Sequence, residues 1–404
     1  MTTTATDVLA SEARHVLQVY RRGQVVFERG RGCRLFDDEG QSYLDLISGV
    51  GVASLGHAHP GLASALAQQA QELVHTSNLF FHPLQGEVAA RLASLSGLPR
   101  AFFCNSGTEA IEATLKFARR YWHAAGEPAR TEFVALEHSF HGRSMGSLSV
   151  TWDEHYRAPF APLVPGITFV PASDPAALRA AVGPRTAAVI VEPIQGEGGV
   201  RPLSAAMAAA ISDVCAQTGT LLIADEVQCG LGRTGRPFYS PALGLAPDLM
   251  AVGKALGGGM PVGAALFSER VAARASFGDH GSTYGGNLLA CRAALVFLDE
   301  LTEGGLMANV ARLGTHARGQ LTALAARRPV VREVRGEGLI WGLDLDRPAA
   351  PVVEAALSRR LLINRTSDTV IRLLPPFIIT TAEFDEGVAL LDQALTDAFG
   401  GSQG

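Results

Sequence analysis

Between about Pro60 and Leu301, helical stretches alternate with short apolar runs: Thr186-Ala187-Ala188-Val189-Ile190-Val191, Leu221-Leu222-Ile223-Ala224 and Leu249-Met250-Ala251-Val252. Such runs have no polar alternation and hence no face to turn to water, so each reads as a strand covered on both sides. Strands separated by helices join as a mainly parallel sheet, because a parallel neighbour needs a crossover long enough to hold a helix. Before this region, Leu35 to Leu46 reads as two short strands around a turn at Glu39-Gly40. After Gly304, Ala/Arg-rich helical stretches alternate with the strand-like Ile340-Trp341-Gly342-Leu343-Asp344-Leu345 and Thr369-Val370-Ile371-Arg372-Leu373-Leu374. The expectation is an α/β chain: an N-terminal arm over 1–59 that is part of a small domain, a large mainly parallel sheet domain over 60–304, and a smaller C-terminal α/β domain over 305–404. At 404 residues and 47% hydrophobic content the chain can bury one large core and a smaller one.

The net charge of -5 is spread without long runs, and no basic patch with interleaved aromatics occurs, which argues against nucleic-acid binding. The start, Met1-Thr2-Thr3-Thr4-Ala5-Thr6-Asp7, has neither a basic n-region nor an apolar h-region, and no apolar stretch could span a bilayer. A cytoplasmic protein without membrane contact is the expectation. Cys33, Cys104, Cys215, Cys229 and Cys291 form no C-x-x-C pair, so neither a disulfide framework nor a zinc site is expected, and no metal.

Of thirty-four basic side chains other than histidine only Lys116 and Lys254 are lysine. Arginine serves wherever a positive charge suffices, but its guanidinium stays protonated and cannot provide a free amine to attack a carbonyl. Lys254 follows the run ending at Val252 and enters the turn Gly253-Lys254-Ala255-Leu256-Gly257-Gly258-Gly259, where a Schiff-base lysine could sit. Lys116 lies in a helical stretch with further basic residues after it and reads as a solvated helix charge. Asp225 closes the run Leu221 to Ala224, at the carboxyl edge where ligands gather in such sheets, although alone it is equally a cap or turn aspartate. A lysine and a carboxylate together fit pyridoxal phosphate, which needs an amine to hold it and an acid to keep its ring nitrogen protonated. Asn105-Ser106-Gly107-Thr108-Glu109-Ala110 opens a helix whose free N–H groups suit the phosphate.

In order along the chain, Asn105 to Ala110, Ser139-Phe140-His141-Gly142-Arg143, Glu192-Pro193-Ile194-Gln195-Gly196-Glu197-Gly198-Gly199, Asp225-Glu226-Val227-Gln228-Cys229-Gly230-Leu231-Gly232-Arg233-Thr234-Gly235 and Gly253 to Gly259 resemble the motifs of class III pyridoxal phosphate aminotransferases. Leu55-Gly56-His57-Ala58-His59-Pro60, Ser77-Asn78-Leu79-Phe80 and Ile371-Arg372-Leu373-Leu374-Pro375-Pro376 are most similar to the acetylornithine branch, whose near relatives act on acetyllysine, carrier-linked lysine, succinyldiaminopimelate, ornithine or 4-aminobutyrate. The resemblance implies the fold-type I transferase fold and pyridoxal 5'-phosphate as cofactor. It implies Lys254 as the Schiff-base lysine and proton carrier, Asp225 at the pyridinium nitrogen, Phe140 and Val227 on the two ring faces, and Gln228 near the phenolic oxygen. Gly107 and Thr108 would hold the phosphate through backbone and hydroxyl groups. Thr283, in His280-Gly281-Ser282-Thr283-Tyr284-Gly285-Gly286-Asn287, would reach the phosphate from the neighbouring subunit of a homodimer, with Ser282 beside the substrate. Arg143 would take the substrate α-carboxylate, and Arg372 the second carboxylate of 2-oxoglutarate after Glu197 moves off it. The reaction implied is transfer of the distal amine of N2-acetyl-L-ornithine to 2-oxoglutarate, of the arginine or lysine biosynthesis type.

Ile111 and Phe81 depart from the branch pattern and put in doubt which side chain the pocket admits. Gly142-Arg143-Ser144-Met145-Gly146 also fits a nucleophile elbow, with His280 as a partner for Ser144; strand-like residues after Ser144 and polar ones before it argue against a hydrolase. Gly230 to Gly235 matches a dinucleotide fingerprint, but the acidic residue to pair with it, Asp248, precedes its strand. A non-catalytic cofactor-binding module is disfavoured by the retention of Lys254, and an aminomutase is left to a test without 2-oxoglutarate.

Overall fold

The structure is a computed structural model and describes residues 4–400, so the first three and last four residues of the expected terminal domains lie outside it. The expected sheet is present and has seven strands: β1 (Arg100–Cys104), β2 (Glu132–Leu136), β3 (Ile167–Val170), β4 (Thr186–Val191), β5 (Leu221–Asp225), β6 (Leu249–Val252) and β7 (Gly263–Phe267). Their order is β1-β7-β6-β5-β4-β2-β3. Only β7 runs against its neighbours, β6 and β1. The apolar runs become strands because both faces are covered. Leu249 and Ala251 enter a core with Ala110 and Ile111 of the Gly107–Ala124 helix. Met250 and Val252 face the opposite way, into the core shared with the Leu288–Thr302 helix.

Arg34–Asp37 and Ser42–Asp45 pair antiparallel around Gly40, whose φ of 79° is one that glycine adopts without strain. Ser42–Asp45 also pairs in parallel with Leu361–Leu362, so the arm and the C-terminal region share a sheet. Val331–Glu337, Ile340–Leu345, Val370–Leu373 and Asn364–Arg365 form, in that order, an antiparallel sheet. The Leu306–Arg327 and Thr381–Phe399 helices bury Leu313, Leu321, Leu391 and Leu395 in the same core as Met250 and Val252. The strand Val370–Leu373 is thereby set against the core beside the seven-stranded sheet and carries Arg372 to Glu197.

One sequence expectation is corrected. The residues after Ser144 form a short helix, Met145–Ser149, instead of extending as a strand. Serine hydroxyls at Ser147 and Ser149 accommodate this because they donate to carbonyls of the preceding turn.

Candidate active site

β5 and β6 are adjacent and parallel, with Asp225 opposite Ala251, so the carboxylate and the amine leave the same edge of the sheet. Lys254 has φ 40°, in the left-handed region, which costs a non-glycine residue about 1–2 kcal/mol. The amine faces a cavity of about 290 Å³ lined by Gly107, Thr108, Phe140, Arg143, Glu197, Asp225, Val227, Gln228 and Lys254, together with Ser106, His141, Gly142, Glu192 and Ile194. Burial lowers the Lys254 pKa; the carboxylates of Glu197, Asp225 and Glu192 oppose that and the Arg372 charge reinforces it. The result is a larger share of unprotonated, nucleophilic amine.

Asp225 Oδ2 lies 2.8 Å from His141 Nδ1, and Oδ1 accepts from the Val227 N–H at 3.0 Å. His141 and Glu192 lie within the motifs, yet local pattern assigns neither a role; only their side-chain contacts show what they do. Glu192 accepts from the N–H groups of Phe140 at 2.9 Å and Gly196 at 3.0 Å. Burial, with the nearby Asp225 carboxylate adding to it, pushes its carboxyl up to about 7 against the opposing effect of His141 and those two N–H groups.

The start of the Gly107–Ala124 helix is capped by Ser106, which accepts from the Glu109 N–H at 3.3 Å. A Cβ on Gly107 would stand 2.6 Å from Val227 Cγ1, so glycine is required for this approach. The Thr108 hydroxyl is already engaged, by Ser147 Oγ at 2.6 Å, Ser144 Oγ at 2.9 Å and the N–H groups of Arg143 and Ser144. The Thr108 hydroxyl thus ties the helix start to the Arg143–Ser147 loop. Ser144 thus has hydroxyl partners and no histidine, while His280 bonds Lys116, so the elbow reading fails on geometry.

Arg143 is exposed at the cavity mouth, with its guanidinium carbon 3.7 Å from the Tyr156 ring centroid. Arg372 is outside the cavity lining and 1% exposed; Nη1 donates to Glu197 Oε1 at 2.5 Å and to Gln228 Oε1 at 3.2 Å, and Nε to Asn364 Oδ1 at 3.4 Å. Gln228 Nε2 also donates to Glu197, at 3.4 Å. Burial raises the Glu197 pKa, but the Arg372 and Lys254 charges and the two hydrogen bonds outweigh it, leaving it below the ordinary value. Ser282 and Thr283 are not in the cavity of their own chain; Thr283 is exposed. Ile111 is fully buried in the core and Phe81 fully exposed, so neither shapes this cavity within one chain.

The glycines at 230–235 form a turn after β5 and not a helix start, with Gly232 and Gly235 at positive φ. A Cβ on Gly235 would come 2.8 Å from Ala311 Cα, so these glycines serve packing. All five cysteines are free, no cluster of potential metal ligands occurs among the described residues, and no helix there is long and apolar enough to cross a membrane.

Residues 18–395 match the family model described as aminotransferase class-III. The chain is 42% identical over 386 residues to the acetylornithine aminotransferase of Methanocaldococcus jannaschii, covering 96% of this chain and 97% of that one. It is 44% identical to that of Archaeoglobus fulgidus over 95% and 99% of the two chains. Among solved structures, ornithine aminotransferase from Toxoplasma gondii superposes with a TM-score of 0.93 at 32% identity, covering 98% of this chain and 96% of that one. N-acetylornithine aminotransferase from Stenotrophomonas maltophilia gives 0.82 at 33%, covering 96% and 98%. A sheet edge that pairs an amine with a carboxylate, and sequence likeness over almost the whole chain, lead to one assignment: the protein belongs to the class III aminotransferases.

Proposed function

We propose that this chain transfers the distal amine of N2-acetyl-L-ornithine to 2-oxoglutarate, giving the semialdehyde and glutamate, with pyridoxal 5'-phosphate in the Lys254 cavity. The observation that carries the reading is the unequal treatment of the two arginines. Arg143 is exposed and stacked on Tyr156, with no carboxylate among the described residues covering it, whereas Arg372 is covered by Glu197. Such a site accepts a donor with one carboxylate and, once Glu197 swings aside, an acceptor with two. The acyl group and chain length are supported by relatives at 42% and 44% identity.

The cavity fits the cofactor: an amine whose pKa burial lowers, a buried carboxylate, a helix start and the glycine cradle at Gly107 stand around one space. When bound, pyridoxal phosphate supplies a carbonyl that condenses with amines and a pyridinium ring that takes up electrons from the substrate carbon. Lys254 would hold it through its amine and would then be the group placed to move a proton. Asp225, fixed by His141 at 2.8 Å, would keep the ring nitrogen protonated. Phe140 and Val227 would pack against the ring, Gln228 would hydrogen-bond near its phenolic oxygen, and the N–H groups of Gly107 and Thr108 would hold the phosphate.

A homodimer completes the site, Thr283 and Ser282 entering from the second copy. Leu79, Phe80, Phe81 and Tyr284, exposed apolar side chains on segments that Asn78 joins through Ser282 and Gly285, support this, since exposed apolar side chains gathered together are ordinarily covered. The domain division is proposed at 1–59, 60–304 and 305–404, with the first and last parts joined through the Ser42–Asp45 and Leu361–Leu362 pairing. The test is kcat/KM with 2-oxoglutarate for acetylornithine, acetyllysine, succinylornithine, succinyldiaminopimelate, ornithine and 4-aminobutyrate. Acetylornithine should lead; a higher value for another donor overturns the substrate, and turnover without 2-oxoglutarate overturns transamination.

A further inference from the structure

Lys116 is one of only two lysines in a chain that uses arginine everywhere else, and it is not in the cavity. Its neighbours on the same helix behave as structural arginines: Arg119 Nε donates to the Thr131 carbonyl at 3.0 Å, and Arg120 Nε to Asp279 Oδ2 at 2.8 Å. Lys116 Nζ instead lies 2.8 Å from His280 Nδ1. An ammonium has no lone pair, so it donates and Nδ1 accepts; the ring is then neutral, with its proton on Nε2. Burial and the Lys116 charge both lower the His280 pKa, which favours that neutral form. The imidazole plane is fixed as well, stacked on Phe102 at 4.7 Å and edge-on to Phe117 at 6.2 Å.

The chain beyond His280 is also tied down. Asn78 Nδ2 donates to the carbonyls of Ser282 at 2.9 Å and Gly285 at 3.0 Å, and the Gly285 N–H donates to Ser282 Oγ at 3.0 Å. Thr283 sits inside this frame, exposed and three positions beyond His280. Asn78 thus fixes the backbone on both sides of Thr283, and the Lys116 contact anchors the start of the segment.

We propose that Lys116 is a positioning residue which, through His280, holds the 280–287 segment in the shape that presents Thr283 to the cofactor phosphate of a second copy. The proposal rests on the proposed role of Thr283 across a homodimer. One helix then serves two sites: its first turn faces the phosphate of its own chain, and Lys116, farther along it, aligns the group offered to the partner's.

The test is the rate at which bound pyridoxal phosphate leaves the dimer, read from its visible absorbance, with the dimer fraction checked by sedimentation. Lys116→Met and His280→Phe, the latter keeping an aromatic ring between Phe102 and Phe117, should each speed release about 3- to 10-fold, the range for one net hydrogen bond. The double variant should be no faster than either, and Lys116→Met should add nothing in a Thr283→Ala background. Heterodimers with Lys254→Ala locate the effect. With Lys254→Ala and Lys116→Met on one chain and neither on the other, the remaining Lys254 site should release quickly. With the two changes on opposite chains it should release at the normal rate. Normal release from Lys116→Met alongside fast release from Thr283→Ala overturns the proposal alone, as does the reverse heterodimer pattern. Normal release from Thr283→Ala overturns the underlying dimer reading.

Discussion

Replacing Arg372 by methionine separates the two half-reactions. The guanidinium is 1% exposed and meets Glu197 at 2.5 Å, so the change strands a carboxylate whose pKa the arginine now helps to depress. Breaking a fully buried pair costs about 3–5 kcal/mol. Here the Glu197 side chain keeps 32% of its exposure and retains the Gln228 amide, so about 1–3 kcal/mol of stability is the expectation. The chemical effect should be larger and one-sided. Loss of a charge-assisted contact to the second carboxylate of 2-oxoglutarate should cost about 2–5 kcal/mol, or roughly thirty-fold to several thousand-fold in kcat/KM. The acetylornithine half-reaction, which on the proposed reading relies on Arg143, should change by less than about threefold, within the roughly 0.6 kcal/mol that such a factor represents. Single-turnover absorbance changes with each substrate separately give both numbers. Adding Glu197→Gln should restore stability without restoring 2-oxoglutarate, because the stranded charge goes but the second handle stays missing. Equal losses in the two half-reactions would refute the division of labour between the arginines.

Borohydride should fix the cofactor to a peptide containing Lys254 and leave Lys116 unlabelled, as read by mass spectrometry; label on Lys116 would undo the site. Asp225→Ala should lower kcat far more than cofactor affinity, since an unprotonated pyridine is a poor electron sink; His141→Phe, which removes the partner at 2.8 Å, should shift kcat in the same direction but less. Near-normal kcat in Asp225→Ala would make it a structural cap. Glu192 has its folded pKa raised from 4.5 to about 7, so between those values the folded state holds the extra proton and this group's contribution to stability falls as pH rises. Glu192→Gln should flatten that part of the melting-temperature profile from pH 4.5 to 7; an unchanged slope would rule out the buried acid as its source.

The strands were legible in the sequence because Leu221 to Ala224 and Leu249 to Val252 are apolar at every position, a pattern that a sheet covered on both faces can bury. Asp225 and Lys254 were legible for a related reason: where an apolar strand ends, the next polar side chain is delivered to the sheet edge. The helix Met145–Ser149 was not legible, because Gly146 and two serines disfavour a helix locally and the β-branched Val150 and Thr151 follow directly, whereas in the fold Ser147 and Ser149 bond within the turn. Tertiary structure alone decided the partnerships. Arg372 and Glu197 lie 175 positions apart, His141 and Asp225 84, Lys116 and His280 164. Local pattern reports what a residue does to its own strand or helix. Which carboxylate finds which cation depends on how elements distant in sequence pack, and here that packing covers one arginine, leaves the other open, and gives a surface lysine a histidine to hold.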